Sequence, residues 1–211
     1  MTSTDGAQIA RVGLAAAPSL LSDRLATSGD AVRAFDGARE AFIAGDRISM
    51  GELAAELGVD RTSLFRWVGN RDALLSEVLW SLAVPTFVLA EHASPHLSGG
   101  PRVVAILTDV VDGLINATYF RTFLRREPAR ALRLLTTKES PIQRRFTATV
   151  EWLVRRELGD APLHGAIDPE GLAYLLSRVS ESFSYADLIS GDDPSVDRAN
   201  AAFRLLLRVD G

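Results

Sequence analysis

Residues 49–75 read SMGELAAELGVDRTSLFRWVGNRDALL, and their spacing is that of two short helices crossing at a tight turn. Three positions set that geometry. Ala54 is small where two helices must approach closely, Gly58 takes a turn position that favours positive φ, and Leu64 locks the second helix onto the first. Leu53 and Leu57 supply the buried face of the first helix, Leu64 and Val68 that of the second. Arg61, Thr62, Phe65 and Arg66 then fall at i, i+1, i+4 and i+5, opposite Leu64 and Val68. Two guanidiniums, a hydroxyl and an aromatic ring on one exposed stripe suit a DNA major groove, where arginine reads guanine and apolar groups touch thymine methyls. An αα-hairpin in an ordinary helical domain fits the same three positions, which alone leave both readings open.

Working outward, Ser49 opens the first of these helices, with Glu52 three residues on as a capping box, and Asp60 caps the second. Asn70 caps the next helix and places Arg71 in a first turn whose free N–H groups also favour a phosphate. A preceding helix, Asp30–Ala44, has Phe35, Ala38 and Phe42 on one face and ends at Gly45-Asp46.

From 31 to 82 the order of these elements resembles, without a gap, the N-terminal domain of the tetracycline-repressor family of transcriptional regulators. The matching positions are Ser49, Leu53-Ala54, Gly58-Val59, Asp60, Leu64-Phe65-Arg66-Trp67-Val68 and Arg71. Phe65 stands where the family has Tyr, Trp67 where it has His, Val68 where it has Phe and Arg71 where it has Lys. The resemblance implies a three-helix helix-turn-helix head, joined to a helical bundle that binds ligand and dimerises. It also implies DNA contacts from Ser49, Arg61, Thr62, Ser63, Phe65, Arg66, Trp67 and Arg71. The stretch RVSESFSYADLISGDDPSVD (178–197) and the string RWVGNRDALL (66–75) further resemble the QsdR-like subgroup, associated with lactone-degradation genes. That likeness implies a lactone or fatty-acid-like effector.

Composition narrows the alternatives. The 211 residues suffice for one large or two small domains. There is no cysteine, so disulfides, thiolate metal sites and a cysteine nucleophile are excluded. His92, His96 and His164 are scattered without a carboxylate cluster, so no metal or cofactor is expected. No apolar run is read as approaching a membrane span, and no basic-then-apolar leader opens the chain, so a cytoplasmic protein that does not bind membranes is expected. The net charge of −4 argues against indiscriminate nucleic-acid binding but not against a local basic surface, and residues 58–71 hold three arginines against Asp60 alone.

The whole chain reads as all-α: an arm over 1–28, poorly ordered apart from a short helix around Ile9–Ala17; a head over 29–84; and a body over 85–211. A helix from Arg71 toward Ala83 is kinked or restarted by Pro85. Helices over Arg102–Thr118, Glu127–Thr136, Pro141–Leu158, Asp168–Ile189 and Ser195–Leu207 follow, and the family resemblance makes the last two the homodimer interface. The final helix carries Ala199, Ala202, Phe203, Leu206 and Leu207 as an apolar stripe that must be covered by something.

Arg178, Glu181, Ser182 and Tyr185 form a polar row at i, i+3, i+4 and i+7 on an otherwise apolar helix. The row reads equally as the polar side of a ligand pocket or as an ion pair orienting dimer helices. Trp80, Asn116, Tyr119, Phe123 and Trp152 are candidate lining for a chamber, each also plain core when taken singly. Operator DNA, a small effector and a second copy of the chain are the expected partners. An enzyme is disfavoured, since no Ser-His-carboxylate set, metal-ligand cluster or phosphate loop is present. A helical interaction module without DNA binding is the remaining alternative.

Overall fold

The computed structural model describes residues 2–163 and 165–209. Met1, His164, Asp210 and Gly211, and with them one of the scattered histidines, lie outside the described residues. Among the described residues thirteen helices follow one another: α1 (Thr2–Ala16), α2 (Leu20–Leu25), α3 (Gly29–Ile43), α4 (Met50–Glu56), α5 (Arg61–Val68), α6 (Arg71–Ala93), α7 (Gly99–Asn116), α8 (Thr118–Arg126), α9 (Pro128–Thr136), α10 (Pro141–Leu158), α11 (Pro169–Ser184), α12 (Ala186–Ile189) and α13 (Val196–Leu207). Among the described residues the one β-type pairing is an isolated bridge between Leu163 and Ile167. The fold is all-α.

The chain forms two compact units, each built from separate stretches. The head unit comprises Leu14–Ala83 and Thr118–Arg144; the body unit comprises Met1–Gly13, Val84–Ala117 and Arg145–Gly211. The expected boundary near residue 84 is therefore one of several crossings, and α8 and α9 belong with the head.

In the head, α3 buries Ala31, Ala34, Ala38 and Phe42, α4 buries Leu53 and Ala54, and α5 buries Leu64 and Val68. Close packing needs small residues here: a Cβ added at Gly37 of α3 would stand 3.1 Å from Leu53 Cδ1. Gly58 has φ +67°, the backbone conformation expected of the turn glycine.

The body is organised around α7, whose Val103, Val104, Ile106, Leu107, Val110 and Val111 are buried. Leu172, Ala173 and Leu176 of α11 and Ala199, Phe203 and Leu207 of α13 join the same core. Asn200 donates to Thr108 Oγ1 at 2.9 Å, pinning α13 to α7.

Four expectations are corrected. The first is the disordered arm, which is helical over α1 and α2. Ile9 is buried in the body core, and α2 starts at a capping box between Ser19 and Ser22. Second, α6 is not restarted at Pro85 but continues through it to Ala93. An interior proline costs a helix about 3 kcal/mol; burial of Phe87 and Ala90 just beyond it offsets that loss. Third, α6 is long and apolar enough to cross a membrane by composition, with mean hydropathy 1.8 over its richest window, yet half of that window is buried in the protein. Finally, the helix expected from 168 to 189 breaks at Tyr185, whose φ of −116° and ψ of 21° separate α11 from α12.

Candidate functional site

The outward face of α5 is assembled from local forces. Asp60 caps the helix by accepting from the Ser63 N–H at 2.9 Å and from the Ser63 hydroxyl at 2.8 Å. Those hydrogen bonds hold the Asp60 carboxyl below the usual carboxylate range. Leu64 and Val68 point into the head, so Arg61, Thr62, Phe65 and Arg66 are left exposed, Phe65 with 47% of its surface accessible. Gly51 makes room for Arg61: a Cβ there would lie 2.9 Å from Arg61 Nη2, so the guanidinium rests against the start of α4 near Ser49. Ser49 itself caps α4 through a 3.4 Å bond from Glu52 N–H.

Three other expected contact residues are placed differently. The Ser63 hydroxyl is already donated to Asp60. Trp67 is half-buried, and its carbonyl accepts from Arg24 Nη1 at 3.3 Å. Arg71 is engaged inside the head: Nη1 and Nη2 meet the two carboxylate oxygens of Glu127 at 2.6 and 2.5 Å, and Nε donates to the Ile48 carbonyl at 2.5 Å. With only 14% of its side chain exposed, Arg71 departs from the phosphate clamp expected of it.

Glu127, set between α8 and α9, also draws Arg130 to 3.3 Å and Arg47 to 3.8 Å. The hydrogen bond from Arg71 comes first among the causes that hold its carboxyl below the ordinary range. Asp72 extends the network by taking Arg130 at 2.9 Å and Arg133 at 2.6 Å. No local pattern marks Glu127, which lies 56 residues from its partner.

The expected effector residues divide between the units. Trp80, Tyr119 and Phe123 belong to the head. Tyr119 and Phe123 stack at a tilt on Phe42, with centroids 5.9 and 5.6 Å apart. The space they help line holds about 10 Å³, room for one water, so these two rings act as packing. Asn116, Trp152, Arg178, Glu181, Ser182 and Tyr185 belong to the body. Asn116 is exposed and bonds Asp112 at 2.8 Å, and Trp152 lies under the Arg156 guanidinium at 4.5 Å.

The polar row on α11 splits around the helix. Glu181 and Tyr185 are buried, whereas Ser182 is exposed and Arg178 is half-buried over the exposed Tyr174 ring at 5.2 Å. Arg178 reaches back to Glu181 at 2.6 Å. Burial pushes the Glu181 carboxyl up to about 7 despite that partner. Burial first, and then the Glu181 charge, also raise the Tyr185 phenol. Ser177, Ser180 and Ser184 are buried on the same helix. Two of these hydroxyls, on Ser177 and Ser180, donate to carbonyls one turn back.

The stripe expected to pair α13 with a second copy is instead the one on α7, with Phe203 fully buried. The opposite face carries Leu205, 80% exposed, and α11 likewise presents Tyr174 and Leu175.

A capped helix pair with an outward basic stripe, in a chain that is otherwise a helical bundle, defines a helix-turn-helix regulator. Residues 98–208 match the family model for the tetracyclin repressor-like C-terminal domain. The chain belongs to the tetracycline-repressor family of DNA-binding, ligand-responsive transcriptional regulators. It is similar to the solved structure of the R. erythropolis transcriptional repressor QsdR from that family, at 26% identity and a TM-score of 0.74, over 85% of this chain and 95% of that one. No curated protein matches it.

Proposed function

We propose that this protein is a cytoplasmic, homodimeric transcriptional repressor, bound to a palindromic operator and released by a small effector of the lactone or fatty-acid-like class. The exposed stripe Arg61, Thr62, Phe65 and Arg66 on α5 carries the DNA-binding part, because its orientation is set by buried anchors and a cap rather than by the stripe itself. One short recognition helix touches few base pairs, so two copies on two half-sites supply the specificity. The exposed Tyr174, Leu175 and Leu205, with Arg178 and Ser182, support self-association through α11 and α13. Glu181 and Tyr185, buried on the inner side of α11, support a polar wall for the effector within the body, with Trp152 and Asn116 as weaker candidates. Glu181 suits a ligand that accepts a hydrogen bond from a carboxylic acid, such as a lactone carbonyl, since its raised pKa keeps part of it protonated near neutrality.

A gel shift on the DNA upstream of the protein's own gene tests this reading. A discrete complex, dissolved by lactones or fatty acids, is expected. Binding no tighter than to unrelated DNA sinks the regulator reading, and a complex indifferent to every such compound sinks the effector class.

A further inference from the structure

The first 27 residues lie outside the three helices of the head motif, yet α2 grips the recognition helix. Resting on the DNA-binding reading above, we propose that Arg24 is a positioning residue: it caps the C-terminal end of α5 from another helix and fixes the angle at which Arg61, Thr62, Phe65 and Arg66 are presented.

A helix of eight residues has little stability of its own, so its orientation depends on what holds its two ends. Asp60 holds the first end. At the other end the last carbonyls lack intrahelical donors. Gly69 N–H, at a φ of +74°, serves Phe65 O at 2.9 Å, and Arg24 Nη1 serves Trp67 O at 3.3 Å. A cation there also complements the negative end of the helix dipole.

Arg24 can act this way because α2 is itself anchored. The Ser19 hydroxyl accepts from Ser22 N–H at 2.9 Å and donates to the buried Glu77 of α6 at 2.6 Å. Leu21 is buried. The Arg24 carbonyl takes the N–H groups of Thr27 and Ser28 at 3.0 and 2.8 Å, closing the turn into α3. Main chain and side chain of Arg24 are thus both fixed, and the guanidinium is aimed at a carbonyl of α5. A direct phosphate contact has a different signature. It would weaken every DNA sequence alike and remove about one counterion unit from the salt dependence, whereas a misoriented stripe loses base discrimination.

The test is fluorescence anisotropy of the full chain on the DNA upstream of its own gene and on an unrelated duplex, across salt, with melting temperatures recorded for wild type, Arg24→Gln and Arg24→Lys. Arg24→Gln is expected to weaken the upstream DNA about three- to tenfold, the size of a lost charged helix-end contact. Its affinity for unrelated DNA and its salt slope should stay at wild-type values, and Arg24→Lys should recover part of the loss. Three results would overturn the proposal: equal weakening on both duplexes with a shallower salt slope, unchanged affinity of Arg24→Gln, or a loss that merely follows the melting temperature. If wild type does not distinguish the two duplexes, the DNA-binding reading falls and this role with it.

Discussion

Two helices carry polar rows at helical spacing, α5 in the head and α11 in the body, and the rows meet different fates. On α5 the residues Arg61, Thr62, Phe65 and Arg66 all stay exposed, because Leu64 and Val68 on the other side are the helix's only buried anchors. On α11 Arg178 and Ser182 turn outward beside Tyr174 and Leu175, while Glu181 and Tyr185 turn into the protein. Periodicity reports which residues share a face. It does not report what lies against that face, and a sixteen-residue helix with buried residues from Pro169 to Ser184 is covered over much of its circumference.

The sharpest way to break this contrast is to charge the outward side of the body. Leu175→Glu combined with Leu205→Glu is expected to leave a folded monomer, seen by sedimentation at micromolar concentration. Loss of the second half-site should then lower operator affinity by at least about a hundredfold. Phe203→Glu, by contrast, places a charge in the α7–α13 core and should unfold the body, read as lost helicity. A folded monomer from Phe203→Glu would return the interface to the inner stripe.

A smaller effect is expected in the head. Glu127→Gln leaves the half-buried Arg71 without its countercharge and should cost about 2–3 kcal/mol in denaturant unfolding. The Glu127 carboxyl lies below its ordinary 4.5, so its contribution is present above that value and is lost as pH falls through the lowered one. The variant should accordingly show less acid-side loss of stability than wild type. Equal stability of the two proteins at neutral pH would mean that the ion pair holds nothing in place.

The smallest effect concerns the buried half of the α11 row. Glu181 titrates near 7 in the folded protein against 4.5 ordinarily, so the folded state holds the proton more tightly between those values. Stability should therefore decline as pH rises from about 4.5 to 7 and level off above. Glu181→Gln should flatten that decline in melting temperature, and an undiminished decline would assign it to another group.

The head was legible because its signals are local: Gly58, the caps Ser49 and Asp60, and the apolar pair Leu64 and Val68 all act within a turn or two. What was not legible depends on distant partners. Nothing near Arg24 announces Trp67, 43 residues on, and nothing near Ile9 announces the body core that buries it, so residues 1–28 read as a loose arm. Arg71 looked free because an arginine in a first turn says nothing of Glu127. The stripe on α13 must be covered, but an amphipathic helix does not say whether its own chain or a second copy does the covering.

The central claim is that the outward face of α5 meets the bases and that Arg71, at the start of α6, makes no phosphate contact. It is tested by operator affinity of Arg66→Ala and Arg71→Ala, measured on matched and base-substituted duplexes over a range of salt. Arg66→Ala should lose about 1–3 kcal/mol and relax base preference at one position, while Arg71→Ala, whose guanidinium is spent on Glu127, should keep the wild-type salt slope. Unchanged discrimination in Arg66→Ala, together with a slope lowered by about one unit per subunit in Arg71→Ala, would contradict it.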